Sequence, residues 1–119
     1  MTSNETPRIQ AFEAEMADAA GFRLAGDTRR AFAALERAHV LGQRDFVAHL
    51  RVHRWMLRIG WDQGDWREVA GQLMRLVLVP LGHLSGRLPV GNTGGANVSA
   101  FKPMAIPPDL ERLLQDRER

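Results

Sequence analysis

Apolar residues recur every three or four positions in four stretches of the chain, a spacing typical of amphipathic helices. The first stretch contains Ile9, Phe12, Met16 and Ala19. It predicts a helix over 8–24, with Thr6 as its N-cap and Pro7 in its first position. Gly26 follows almost at once and is a residue that commonly ends a helix.

Capping residues bound the second and third predicted helices. Asp27 or Thr28 can cap the second helix, which we expect to stop at Gly42. Its inward side carries Ala31, Phe32, Leu35 and Ala38. Asp45 can cap the third helix, which we expect to end near Ile59.

The fourth stretch predicts a helix from Asp65 to about Val79, closed by Pro80 because proline lacks the N–H that a helix needs. We expect its inward face to carry Val69, Leu73, Leu76 and Val77. Since short loops join all four helices, neighbours should be antiparallel. The prediction is a small all-α antiparallel bundle of two helical hairpins, in one domain spanning 1–119 with its helical core at 8–80.

The remaining segment, 81–119, has no helical spacing over most of its length. Glycine and proline recur from Gly82 to Pro108 and exclude a long helix there. The segment still contains apolar residues that can pack, namely Leu84, Leu88, Val90, Val98, Phe101 and Met104. We therefore expect it to wrap the bundle, with a short terminal helix over 109–115.

Composition limits the chemistry that the chain can carry. Without cysteine it has no disulfide, no thiolate metal site and no Cys nucleophile. Its formal charge is +2 and its arginines are scattered, so nothing indicates nucleic acid binding. The N-terminus lacks the apolar core of a signal peptide, and the longest apolar run, 76–81, is too short to cross a membrane. We expect a soluble, cytoplasmic protein.

Histidine carries the strongest chemical signal in the sequence. His49 and His53 are four positions apart on the apolar face of the third helix, so both imidazoles can reach one ion. His39 lies at a comparable height on the second helix, across the hairpin. We therefore predict that these three residues bind a divalent transition metal.

Carboxylates and an amide complete the predicted site. Glu15, on the first helix, is expected at the level of His39 and is predicted as the fourth ligand. Glu36 forms a Glu-x-x-His pair with His39, as in di-metal bundles, although only one copy is present. The residues expected to orient the imidazoles or to replace a ligand are Glu36, Glu68, Gln72 and His83.

The predicted ligands leave the metal and its use open. Nitrogen and oxygen donors without thiolate suit iron or zinc first, and also manganese, nickel or copper. Catalysis through metal-activated water or oxygen would need an unfilled position on the ion, whereas four protein donors would suit storage, sensing or structure. The sequence assigns no catalytic residue and no organic cofactor.

A second interpretation is a non-catalytic interaction module. In this case the histidines pack in the core and hydrogen-bond to one another and to Glu15. A Gly-Asp pair at Gly26 and Asp27 recurs at Gly64 and Asp65, which is a faint sign of a tetratricopeptide-like repeat. Two units are few for such a repeat, and we interpret the recurrence as shared cap chemistry at Asp27 and Asp65. Such a module would bind a protein partner, and a homodimer formed through an exposed helix face is also open.

Residues 91–95 (GNTGG) lack the lysine of a phosphate-binding loop, and turn chemistry explains their composition. Together with 35–44 (LERAHVLGQR), the histidine pair of 49–53, and Gly71 and Gln72 within 68–72, they resemble an uncharacterised bacterial family, a domain of unknown function. The resemblance covers almost the whole chain. It implies that the histidine hairpin and the glycine-rich segment belong to one module, and it brings no established activity.

Overall fold

The computed structural model describes residues 6–116, and they contain five helices. These are α1 (Pro7–Leu24), α2 (Thr28–Gly42), α3 (Phe46–Asp62), α4 (Trp66–Ser85) and α5 (Pro108–Asp116). α1 packs on α2 and α3 packs on α4, while α5 lies against α1 and α2. The all-α prediction of two helical hairpins is confirmed, although α3 continues beyond the predicted end near Ile59.

Side-chain caps begin three of the helices. Thr6, Asp27 and Asp65 each accept a hydrogen bond from the backbone N–H three residues further on. Asp45 is the N-cap of α3 in an extended conformation, and its carboxylate lies 2.8 Å from the buried guanidinium of Arg8. The predicted helix starts are therefore confirmed, and the start of α3 is tied to the start of α1.

The hydrophobic core lies between α1, α2 and α3, and Leu110 of α5 joins it. Its largest buried members include Phe12, Met16, Leu35, Leu41, Val52 and Met56. α4 adds only Val69 and Val79 to the buried apolar residues. The other inward side chains of α4 are therefore available for polar contacts.

Pro80 does not end α4, and that prediction is wrong. The helix continues to Ser85. Pro80 has no N–H to donate to the carbonyl of Leu76, but Pro80 is exposed, so water can hydrogen-bond to that carbonyl instead. The helix ends instead at Gly86, whose φ of 76° is the left-handed conformation that glycine adopts without strain.

The inward face of α4 also differs from the prediction. Leu73 and Val77 are exposed, whereas Gln72 and Arg75 are buried. A buried polar side chain is stable when its hydrogen bonds are made. Gln72 contacts His53, and Arg75 donates to two backbone carbonyls. Because these partners are present, polar side chains take inward positions that the sequence pattern assigned to apolar ones.

Residues 86–107, called the covering segment below, lie across α2 and α4 as predicted. Gln43 of α2 donates to the carbonyl of Pro89 at 2.8 Å. On α4, the carboxylate of Glu68 accepts from the N–H of Ala96 at 3.0 Å. The segment is therefore held to both helical hairpins by hydrogen bonds.

The outward face of α4 is apolar along most of its length. Its exposed large side chains, called the α4 stripe below, are Leu73, Met74, Val77, Leu81 and Leu84. Between Ala70 and Ser85, none of the exposed residues of α4 is charged. Within residues 6–116, no helix combines the length and apolar character needed to span a bilayer.

Candidate metal centre

Three imidazoles meet where α2 packs against α3. His39, His49 and His53, called the histidine cluster below, are each at most 5% exposed. Nε2 of His39 lies 3.1 Å from Nε2 of His49 and 3.1 Å from Nε2 of His53. One ring nitrogen from each residue lies within 4.8 Å of the other two. The expected grouping of these three residues is confirmed.

The covering segment fixes the orientation of His39. Nδ1 of His39 lies 2.5 Å from the backbone carbonyl of Asn92, and a carbonyl can only accept. The proton of neutral His39 is therefore on Nδ1, and its Nε2 carries a lone pair. Asn92 is itself buried, and its amide donates to the carbonyls of Ser99 and Lys102, which holds the loop in place.

α4 fixes the orientation of His53 in a similar way. Nδ1 of His53 lies 2.6 Å from Oε1 of Gln72. The amide nitrogen of Gln72 donates to Glu68 at 2.6 Å and to the carbonyl of Gly94 at 2.9 Å, so Oε1 is the atom that accepts from His53. Nε2 of neutral His53 therefore also carries a lone pair.

His83, on α4, contacts the ring of His49 on the side away from His39. Nδ1 of His49 lies 3.0 Å from Nε2 of His83, and either nitrogen can donate. The ring of His83 also packs edge-on against Phe46, with centroids 5.3 Å apart. His83 therefore contacts the nitrogen of His49 other than the one that faces His39.

Burial keeps the histidine cluster neutral. It lowers the pKa of His39 well below 6.5, with the neighbouring imidazoles acting in the same direction. Burial, followed by His53 and His83, lowers the pKa of His49 to about 3. Burial, together with the charge of Arg75, lowers the pKa of His53 to about 4, although Gln72 opposes this shift. None of the three carries a proton on both ring nitrogens near neutral pH.

The cluster consequently has more acceptors than protons at its centre. Nε2 of His39 and Nε2 of His53 face each other with a lone pair on each and no hydrogen between them. At most one proton, from His49, can point inward. Two lone pairs at this distance repel, and a shared cation removes that repulsion.

The predicted carboxylate ligand lies in another contact. Glu15 accepts from Nε of Arg37 at 2.8 Å, and Arg37 also pairs with Asp109 of α5. Among the described residues, the group able to hold an ion consists of the three histidines without Glu15. Glu36 is partly buried, and its pKa is raised by burial and then by the charge of Glu68.

The histidine cluster lines a cavity of about 270 Å³. Its other walls come from α4, the covering segment and Gln43 at the end of α2, and they are mostly apolar, including Leu78, Leu81, Leu88, Pro89 and Phe101. Arg75 and Arg87 also line it. A small molecule in this cavity would lie against the histidine cluster.

Two elements of the site were not expected from the sequence. The first is the carbonyl of Asn92, and the second is Gly94, where a Cβ would lie 2.5 Å from Cδ2 of His39. Gly94 also has a φ of 87°, so a larger residue would be strained as well as crowded. The sequence signal for this loop was GNTGG, but its composition was attributed to turn chemistry alone.

A family model described as a protein of unknown function (DUF3703) matches residues 7–114. The chain therefore belongs to this family, which confirms the resemblance, while the individual motifs quoted for it stay a prediction. No curated protein and no solved structure matches the chain.

Proposed function

We propose that this member of the DUF3703 family binds a divalent transition metal through His39, His49 and His53. The observation that carries the proposal is the pair of facing lone pairs on His39 and His53, 3.1 Å apart in a buried site. A hydrogen-bonded core would place a proton between two such atoms. A metal ion is the partner that uses several inward lone pairs at once.

The distances support the same proposal. Zinc lies about 2.0–2.1 Å from histidine nitrogens, which places neighbouring donors about 2.9–3.4 Å apart at bond angles of about 90–110°. The two Nε2 to Nε2 distances of 3.1 Å lie in this range. Each Nδ1 has a hydrogen-bond partner, as metal-bound imidazoles usually do, since that bond fixes the tautomer and the ring orientation.

Three neutral nitrogen donors favour zinc, with nickel or copper as the nearest alternatives. Iron sites of the facial type use two histidines and one carboxylate. To supply that carboxylate, Glu15 would have to leave Arg37. Zinc is accordingly the metal to test first, with iron, nickel, copper and manganese in parallel.

Three protein donors leave a fourth position on a tetrahedral ion. Structural zinc sites normally have four protein ligands, whereas sites that bind water or a substrate have three. The cavity beside the cluster provides room for such a fourth ligand. We therefore propose a site that binds an exogenous ligand on the metal, with catalysis as one use of it.

Cobalt(II) is a suitable test ion because it replaces zinc and absorbs visible light. Titration into metal-free protein should give an absorption that saturates at one equivalent. His53→Ala should abolish it, while His83→Ala should keep the stoichiometry and lower the affinity by about 10–100-fold. The proposal would be contradicted if the folded parent bound none of cobalt, zinc, iron, nickel, copper and manganese.

The α4 stripe favours a second candidate function, that of an interaction module. The stripe is free of charge and each of its five side chains is exposed, and large exposed apolar patches commonly mark interfaces. We propose a second copy of the chain as its occupant. A two-fold axis across α4 would pair the stripe with itself, and a formal charge of only +2 gives little repulsion between copies.

Analytical ultracentrifugation tests this candidate. The parent should sediment as a dimer, and Val77→Lys, in the middle of the stripe, should give a monomer with unchanged circular dichroism. Ala70→Lys, an exposed change at the end of the uncharged stretch, serves as the matched control and should weaken the dimer less. A parent that is monomeric at high concentration would contradict the homodimer, and vesicle or peptide binding would then identify another occupant.

A further inference from the structure

The residues that the structure describes give the cavity beside the histidine cluster positive charge and no negative charge. Among them, the charged residues that line it are Arg75 and Arg87, with neither aspartate nor glutamate. Three neutral imidazoles add no negative charge to offset a divalent ion. With the metal proposed above in place, the cavity would have a charge of about +4, or +3 without the exposed Arg87.

Arg75 is the unusual cation of the pair, because it is only 6% exposed. Nη1 donates to the carbonyl of Gly71 at 3.1 Å and Nη2 to the carbonyl of Val98 at 2.6 Å. Its Nε is buried without a hydrogen-bond partner within the described part of the chain. The nearby Glu68 is bonded to Gln72 and Ala96 instead. A buried cation normally has an anionic partner, since burying it alone is costly.

Arg75 lies within electrostatic range of the cluster. Its charge contributes to the lowered pKa of both His39 and His53. Arg75 and the three histidines also line the same cavity, so an anion bound there beside the metal would lie near Arg75 as well. Such a ligand would balance the charge of both cations at once.

The apolar walls narrow the class of anion. Leu78, Leu88 and Phe101 line the cavity and offer no hydrogen bonds from their side chains. A fully polar dianion such as sulfate would lose hydration against them without compensation. A volume of about 270 Å³ lies just below the usual range for pockets that bind larger ligands, so the occupant must be small.

We propose that the cavity binds a short aliphatic monocarboxylate, with its carboxylate toward the metal and Arg75 and its chain against the apolar wall. The inference rests on the proposed metal site. The metal supplies an open coordination position, Arg75 supplies the second positive charge, and the leucines and Phe101 select for the aliphatic chain.

Cobalt-loaded protein, with its metal content measured in the same sample, provides the test. Butyrate should change the visible spectrum in a saturable way and bind roughly tenfold more tightly than acetate, because it buries two more methylene groups. Sulfate should bind more weakly than either. Full cobalt content with no spectral response to any anion would overturn this inference and leave the metal site intact. Sulfate binding as tight as that of butyrate would overturn the carboxylate assignment. Absence of cobalt uptake would overturn both proposals.

Two pairs of variants test the charge argument. Arg75→Gln should weaken butyrate binding about tenfold or more at unchanged metal content, whereas Arg67→Gln, an exposed change on the same helix, should not. Because Arg75 also holds the covering segment, a second pair is independent of it. Leu78→Asp places a carboxylate in the lining and should weaken butyrate binding at least fivefold relative to its neutral match, Leu78→Asn. Equal affinities in the folded Leu78 pair would overturn the inference.

Discussion

Gln72 determines which nitrogen of His53 faces the other imidazoles. Its side-chain oxygen lies 2.6 Å from Nδ1 of His53, and its amide nitrogen is bonded to Glu68 and to the carbonyl of Gly94. Because both hydrogens of the amide have acceptors, the amide cannot rotate without losing them. A single buried side chain of α4 thus connects the covering segment to the proposed metal ligand.

Replacement of Gln72 by leucine should lower metal affinity by about 10–100-fold while the stoichiometry stays at one. The variant leaves the three ligands in place but removes the acceptor that holds His53. Competition with a coloured chelator measures the affinity. Gln10→Leu, at an exposed position of α1, is the matched control and should bind like the parent. Equal affinities for parent and Gln72→Leu would show that the amide does not orient His53.

The metal-free protein should lose stability as the pH falls. The pKa values of His49 and His53 are lowered from 6.5 to about 3 and about 4, so the unfolded chain binds more protons than the folded chain across this window. The free energy of unfolding should therefore decrease below about pH 6.5, by up to about 1.4 kcal/mol per pH unit for each buried histidine. Urea unfolding at about pH 7 and about pH 5 measures this, and equal stability at the two pH values would contradict it.

Gly94→Ala should damage the site through His39. The new Cβ would lie 2.5 Å from Cδ2 of His39, at a φ of 87° that alanine adopts only with strain. We expect a loss of about 2–5 kcal/mol in stability, together with weaker metal binding. Gly21→Ala, in the last turn of α1 where a Cβ meets nothing within 4 Å, should be neutral or slightly stabilising. A Gly94→Ala protein as stable as the parent would mean that the close approach to His39 does not occur.

Glu15→Gln should leave the metal content unchanged. In the structure its carboxylate pairs with Arg37, a partly exposed contact worth about 1 kcal/mol or less. The matched comparison is Glu13→Gln. Glu13 lies on the same helix as Glu15 and forms a similar ion pair with Arg51 of α3. Elemental analysis of both variants shows whether Glu15 binds the metal or only pairs with Arg37. Loss of metal from Glu15→Gln alone would identify Glu15 as the ligand predicted from the sequence.

The sequence predicted the helical architecture well because its signals are local. Thr6, Asp27 and Asp65 cap helices as expected, and the spacing of His49 and His53 places both on the buried face of α3. These features depend on residues within one or two turns of each other. Hydrophobic spacing and cap chemistry therefore sufficed for the helix starts and for the histidine pair.

The errors lie where a distant partner decides the outcome. Gln72 and Arg75 point inward because Gln72 accepts a hydrogen bond from His53 and Arg75 donates one to the covering segment, and these contacts span 19 and 23 residues. Helical spacing placed Gln72 beside the apolar face, as a residue that could orient an imidazole, but it could not reveal these contacts and it put Leu73 and Val77 on the inward face. The carbonyl of Asn92 is equally invisible, because every residue has a carbonyl and only the folded chain brings this one to His39.

Elemental analysis of purified, untagged protein tests the central claim most directly. The parent, loaded with zinc and freed of excess by gel filtration, should retain one equivalent. His39→Gln should retain none while circular dichroism shows the same helix content, and Gln43→Ala, a buried neighbour in the cavity wall, should retain one. If folded parent protein retains no zinc and none of the other divalent transition metals, or if His39→Gln retains as much as the parent, the histidine cluster is not a metal site.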